Sequence, residues 1–176
     1  MKSEIGLLFY NDFNRPVLEK LIHTNELTFT ELFTAHPHIF IGKNHPLANK
    51  DVVSMDELEE YPYISFEQGD HNSFYFSEEI FSTVVRPKHI RVRDRASLFS
   101  LLLGLDGYTV SSGVIDEEVN GENIISVPLA EEGLMHIGYI TNNKMHRSRL
   151  GQEYIQALEQ YVGNYGRHIK LPRTKE

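Results

Sequence analysis

Short apolar runs separated by polar turns alternate along the chain with segments of helical spacing. Residues 4–10 form an apolar run that ends in a polar loop, which predicts a buried strand. The next segment has Pro16 in its first turn and carries apolar residues on one side, which predicts a helix beginning at residue 14 or 15. Residues 27–34 alternate weakly and predict a strand, and residues 36–42 predict another.

In the middle of the chain, the spacing of apolar residues and a helix-start motif predict two helices. Ser54 and Glu57 have the spacing of a capping box, which predicts a short helix before Pro62. After a strand at 63–66 and a polar loop, four-residue spacing of Phe76, Ile80 and Val84 predicts a second helix.

The C-terminal half continues the alternation of strands and helices. Asp94 caps a predicted helix at 96–104 that is apolar on nearly every face and is therefore expected to be deeply buried. Strands are predicted at 107–113, 123–129 and 134–141, and a last helix from near Ser148 with Gly163 as its stop. This order predicts an α/β fold with mostly parallel strands, whose ligands bind near strand C-termini.

The amino-acid composition and the net charge exclude several classes of protein. The chain has 176 residues, 40% of them hydrophobic and 24% charged, which is typical of a globular protein. No apolar run is long enough to cross a membrane, and the N-terminus does not resemble a secretory signal. The lack of cysteine suits the cytoplasm, and the net charge of -8 makes these residues by themselves a poor DNA binder.

Residues 45–66 carry a resemblance to the LysR-type transcriptional regulators. His45-Pro46-Leu47-Ala48 follows a strand and precedes a short helix and a second strand, an order that is similar to that family. The run at 4–8 resembles the strand before the family's first cleft loop. Residues 92–113 resemble its buried helix and glycine turn, and 152–162 resemble its closing helix.

The resemblance implies a two-lobed fold of the type 2 periplasmic-binding-protein kind, with mostly parallel sheets and two crossing strands. Residues 1–44 would be a partial first lobe with a crossing strand at 38–43, and 45–134 the second lobe. Residues 135–165 would add the return crossing strand at 135–140 and the closing helix, and 166–176 a tail. We expect the N-terminal part of the first lobe and the helix-turn-helix head to be missing from this chain. The turn at 104–107 is also one residue longer than in many members.

The resemblance also implies an effector site between the lobes. Three polar turns, at 10–14, 68–73 and 94–97, have the character of such a site. The candidate ligand-binding residues are Tyr10, Asn11, Ser65, Phe66, Gln68, His71, Asn72, Ser73, Arg95, Ser97 and Thr109.

Each candidate also has a structural interpretation. Asn72 or Ser73 could instead cap a helix, and Tyr10 and Asn11 could instead belong to an exposed loop. Arg95 suits either an effector carboxylate or an ion pair with an acidic residue. Thr109 suits an ordinary strand position.

Other chemistry is not supported by the sequence. His36, His38 and His45 lack the convergent spacing of a metal site, so we expect no metal or cofactor. No acid–base constellation or nucleophile motif is visible, so we expect no enzyme.

The expected function is the effector-sensing domain of a LysR-type regulator, cytoplasmic and assembled as a homodimer or homotetramer. It would bind a small metabolite, and DNA only through the absent head. The alternatives are a stand-alone solute-binding protein of the two-lobed periplasmic type and an enzyme that uses the same fold.

Overall fold

The chain divides into two compact units. A computed structural model describes residues 3–67, 74–77, 79–116 and 120–165. The first unit comprises Met1–Ala35 and Leu134–Glu176, and the second unit comprises His36–Gly133. The division after Ala35 lies earlier than the first-lobe boundary expected at residue 44. The reason is that the strand expected to cross between the lobes pairs along its length within the second unit.

The first unit is a three-stranded sheet with two helices. Its elements are β1 (Ile5–Tyr10), α1 (Arg15–Thr24), β2 (Leu27–Ala35), β8 (Met135–Asn142) and α3 (Arg149–Tyr165). β8 lies between β1 and β2 and is antiparallel to both. β1 and β2 therefore run in the same direction, as expected for a strand–helix–strand unit, but a late strand separates them.

A bulge and a glycine shape the centre of this sheet. The register of β2 against β8 shifts between Glu31 and Phe33. At Gly138, opposite Glu31, a Cβ atom would lie 2.2 Å from the carbonyl oxygen of Thr30. Only glycine allows the two backbones to approach this closely.

The second unit contains a three-stranded sheet, a two-stranded sheet and a ten-residue helix. Its elements are β3 (His38–Gly42), β4 (Tyr63–Phe66), β5 (His89–Val92), α2 (Arg95–Gly104), β6 (Thr109–Ser111) and β7 (Ile124–Pro128). β3 is antiparallel to β6 and β7, β4 is parallel to β5, and a parallel bridge joins Tyr63 to Tyr108. The expectation of mostly parallel strands is corrected: among the strands that the structure describes, β4 and β5 pair in parallel and the other paired strands are antiparallel, with two further parallel bridges, Tyr63–Tyr108 and Val53–Leu129.

The core of the second unit gathers apolar residues from the strands and α2. Phe40, Ile64, Val92, Leu98 and Leu102 form one buried cluster with Ile124. The predicted cap of α2 is present, since the Asp94 carboxylate accepts the Ser97 N–H at 2.8 Å. The expected burial of α2 on nearly every face is corrected, because Leu103 is 47% exposed.

Two predicted helices are shorter than the spacing suggests. The helix expected before Pro62 is a single 3₁₀ turn, Asp56–Leu58, although Glu57 accepts the Ser54 N–H as a capping box requires. The helix expected through Phe76, Ile80 and Val84 is a 3₁₀ turn, Phe74–Phe76, followed by turns with Phe81 at φ 61°. The four-residue spacing is misleading here because the three side chains do not lie on one buried face. Ile80 is buried, whereas Phe76 and Val84 are exposed.

The last helix passes its predicted stop at Gly163 and ends at Tyr165. Within the described ranges, no helix is long and apolar enough to cross a membrane.

Candidate functional site

A cavity opens in the second unit where parallel strands end. β4, β5 and the start of β6 run in one direction, so their C-terminal ends lie at one edge of the sheet, beside the N-terminus of α2. The cavity has a volume of about 270 Å³. Its lining comprises Phe40, Phe66, Glu79, Arg95, Leu98, Phe99, Thr109, Val110 and Ser111. We call it the Arg95 cavity.

Arg95 supplies a cation at this cavity. Its guanidinium lies 5.1 Å from the centre of the Phe99 ring, one helical turn further along α2. Arg95 makes no ion pair with any residue that the structure describes. Its charge is therefore available to a ligand, and the alternative of a structural ion pair finds no partner in the described ranges.

Hydroxyl groups and aromatic rings complete the lining. Thr109 is buried on β6, and Ser111 follows on the same side of the strand. Phe40, Phe66 and Phe99 supply apolar surface. A few polar groups set in an apolar wall are typical of a small-molecule site.

Glu79 is a buried acid that the sequence analysis missed. Its Oε1 accepts the Phe66 N–H at 2.7 Å, and its Oε2 accepts the Ser77 hydroxyl at 3.4 Å. Burial raises the pKa of the Tyr63 phenol, and the nearby charge of Glu79 raises it further. The Glu79 carboxylate thus holds the backbone at the end of β4.

Ser65 and Ser97 make structural contacts and do not line the cavity. The Ser65 hydroxyl is hydrogen-bonded to Nε2 of His89 at 2.7 Å. The Ser97 hydroxyl donates to Oδ2 of Asp94 at 2.8 Å. The backbone N–H of Ser97, followed by its hydroxyl, lowers the pKa of Asp94.

Tyr10 and Asn11 lie in the first unit. The Tyr10 ring packs 4.3 Å from the Phe29 ring. Asn11 and Asn14 exchange two hydrogen bonds: each side-chain oxygen accepts the backbone N–H of the other residue, at 2.8 and 2.9 Å. These bonds hold the turn between β1 and α1.

The remaining candidates, Gln68, His71, Asn72 and Ser73, lie outside the described residues. Of the predicted site residues that are described, the Arg95 cavity thus brings together Phe66, Arg95 and Thr109.

Two of the three histidines considered as metal ligands have hydrogen-bond partners. Nδ1 of His38 is hydrogen-bonded to the His36 carbonyl, and both ring nitrogens of His45 bond backbone groups. Within the described ranges, no three metal-binding side chains converge.

The sequence analysis did not predict some of the residues that line the Arg95 cavity. Phe40 alternates with Ile39 and Ile41 along its strand, so its side chain lies on the face opposite theirs, which does not by itself indicate a ligand site. Glu79 gave no signal, because an acid that follows Ser77 and Glu78 is expected at the surface until its neighbours in space are known.

Comparison with known proteins gives the family and the fold. A family model described as the LysR substrate binding domain matches residues 16–163. The effector binding domain of QuiR in complex with shikimate is similar at 16% identity with a TM-score of 0.58, over 93% of this chain and 74% of that one. The regulatory domain of CcmR from Synechocystis PCC6803 in complex with 2-PG is similar at 12% identity with a TM-score of 0.59, over 93% and 75%.

A longer protein also matches. A putative LysR family transcriptional regulator from Pseudomonas aeruginosa has 13% identity and a TM-score of 0.59, over 92% of this chain and 54% of its own length. The chain therefore spans about half of that regulator. No curated protein matches in a sequence search. These similarities confirm the predicted two-lobed α/β fold of the periplasmic-binding-protein kind.

Proposed function

The chain belongs to the family of LysR substrate-binding domains, and from that premise we propose that the Arg95 cavity binds a small-molecule effector. The observation that carries this proposal is the meeting of an unpaired guanidinium, a buried hydroxyl and aromatic walls where parallel strands end. The volume of about 270 Å³ is just below the range of roughly 300–1,000 Å³ for small-molecule pockets.

The ligand class follows from the charges of the cavity. A guanidinium binds a carboxylate through two parallel hydrogen bonds, so Arg95 favours a ligand with a carboxylate. Buried Glu79 disfavours a second negative charge. The phenyl rings favour a compact ring or short aliphatic body. Shikimate and benzoate, bound by the solved domains of QuiR and BenM, are monocarboxylates of this size.

Effector binding would control transcription in a longer protein. A ligand that binds one arrangement of a homodimer or homotetramer more tightly shifts the population toward that arrangement. This shift would change how the helix-turn-helix heads of the longer, cytoplasmic protein bind DNA. Several neighbours are described as LysR family transcriptional regulators, which supports this role over that of a solute carrier or an enzyme. Contact of the effector with Tyr10 and Asn11 in the first unit stays a prediction.

Arg95→Ala tests the proposal. Screening a panel of monocarboxylates that includes shikimate and benzoate by thermal shift should identify a ligand, whose Kd is then measured by calorimetry. Losing a charged hydrogen bond should weaken binding by about 1.5–3 kcal/mol. Thr109→Val should weaken it by about 1 kcal/mol through the lost hydroxyl.

Arg91→Ala is the matched control, because Arg91 is an exposed arginine on β5 that does not line the cavity. It should bind like the unchanged chain. Equal affinities of the Arg95→Ala and Arg91→Ala variants for every ligand found would refute the assignment of this cavity.

A further inference from the structure

The Arg95 cavity has charges of both signs in its lining. Arg95 and Glu79 are its ionisable residues among those that the structure describes. Arg95 begins helix α2, whereas Glu79 belongs to the irregular segment between β4 and β5. A ligand that fills the cavity therefore meets a carboxylate as well as a guanidinium.

The Glu79 carboxylate is held in place by its neighbours in the protein. The residue is 5% exposed, and its Oε1 accepts the Phe66 N–H at 2.7 Å. Its Oε2 accepts the Ser77 hydroxyl at 3.4 Å, which is longer than the roughly 2.5–3.0 Å usual for such a bond. Because a carboxylate has about four acceptor positions, these two bonds do not exhaust it.

Glu79 differs from the other polar groups of the cavity in what it can bond. The hydroxyls of Thr109 and Ser111 can donate or accept a hydrogen bond, so they adapt to either kind of ligand group. A carboxylate only accepts. An apolar ligand edge against Glu79 would remove water without replacing its hydrogen bonds, which costs free energy. A ligand hydroxyl there would form a charge-assisted hydrogen bond instead.

We propose that Glu79 selects hydroxylated monocarboxylates as effectors: its carboxylate accepts a hydrogen bond from a ligand hydroxyl while Arg95 binds the ligand carboxylate. This inference rests on the proposed function of the Arg95 cavity and adds the specificity of that site. Phe40, Phe66 and Phe99 provide apolar surface for the body between the two polar ends. A site that bonds a ligand hydroxyl strongly rejects the analogue that lacks it.

Matched pairs of ligands test this selectivity on the intact chain. One set compares benzoate with the three monohydroxybenzoates, and the other compares cyclohexanecarboxylate with shikimate, with each Kd measured by calorimetry. In at least one set, a hydroxylated member should bind about tenfold more tightly than its plain partner, as expected for one hydrogen bond to a charged acceptor. Plain members that bind as tightly in both sets, or a lack of binding by every hydroxylated member, would overturn the proposal.

Glu79→Gln separates a contact with the ligand from a structural role. The amide keeps an oxygen for the Phe66 N–H and can donate to the Ser77 hydroxyl, and thermal unfolding checks the fold. The preference for the hydroxylated member should fall to about threefold or less, because a neutral amide is the weaker acceptor. The plain member should bind at least as tightly as before, since a nearby negative charge is removed. Equal weakening of both members would show a structural role alone and overturn the proposal.

Glu67→Gln is the matched control. Glu67 is an exposed acid that directly follows β4, pairs with Arg93 and does not line the cavity. It should leave the ratio of the two Kd values unchanged. The same loss of preference in Glu67→Gln would show that the net charge, and not contact with Glu79, selects the ligand.

Arg95→Ala distinguishes failure of this inference from failure of the proposed function. It should weaken the binding of both members of a pair. If it does so while Glu79→Gln leaves their ratio unchanged, the proposed function stands and selection by Glu79 is wrong. If Arg95→Ala leaves both affinities unchanged, the proposed function fails and this inference fails with it.

Discussion

The surroundings of three histidines in the second unit disfavour the charged imidazolium. Nδ1 of His45 accepts the Leu47 N–H at 3.0 Å, so its Nε2 must carry the proton donated to the Asp106 carbonyl at 3.0 Å. Burial is the largest cause lowering the pKa of His45, of His38 and of His89. Protonating His45 would cost it the bond from Leu47, because both nitrogens would then be donors.

We expect the chain to lose stability as the pH falls. A lowered folded-state pKa means that the unfolded chain takes up protons first, starting near its ordinary pKa of about 6.5. The stabilisation is therefore complete above that pH and is lost as the pH falls from there through the folded pKa values. Urea unfolding at several pH values between 8 and 5 should show this decline.

His45→Gln should flatten the dependence on pH, whereas exposed His146→Gln should not. A free energy of unfolding that stays constant from pH 8 to pH 5 would contradict this account.

At the scale of the element, glycines have opposite roles in strand β8 and helix α2. In β8, Gly138 lies where the backbones of two strands leave no room for a Cβ atom. In α2, Gly104 ends the helix, and a Cβ atom there would meet nothing within 4 Å. The same substitution should therefore have opposite effects at the two positions.

Gly138→Ala should lower the free energy of unfolding by about 2 kcal/mol or more, because the backbone of Thr30 must move. Gly104→Ala should raise it by about 0.5 kcal/mol, since alanine is the better helix former and loses less entropy on folding. Urea denaturation of both variants gives the comparison. A tolerated Gly138→Ala would show that β2 and β8 lie further apart than described.

At the scale of the whole molecule, charge decides what the chain binds. The net charge is -8, and the Arg95 cavity lies in the second unit, His36–Gly133. This cavity combines an arginine with aromatic surface, which suits a small molecule and not a polyanion.

We expect these 176 residues not to bind duplex DNA, because affinity for phosphates needs clustered basic residues. Fluorescence anisotropy with a labelled duplex, measured at low and at physiological salt, should show no saturable binding. Sub-micromolar, sequence-selective binding that weakens with salt would contradict this expectation.

Much of the fold was predictable because the local spacing of apolar residues indicates which face of a helix or strand is buried. The strands around Phe40, Tyr63 and Tyr139, the cap at Asp94 and the family resemblance at residues 45–66 all follow from neighbours in sequence. Phe66, Arg95 and Thr109 were predicted as site residues from strand ends and a helix start, and these features place them at one edge of the sheet.

The tertiary structure alone decided which elements meet. Spacing does not state that β8 lies between β1 and β2, because pairing depends on residues more than a hundred positions apart. Nor does spacing bring Glu79 to the end of β4, since that contact depends on the path of the irregular segment after Phe76. The sequence by itself therefore determined most of the elements, the family and part of the candidate site. The order of the strands and the charges that line the Arg95 cavity were decided by long-range packing, which sequence periodicity does not encode.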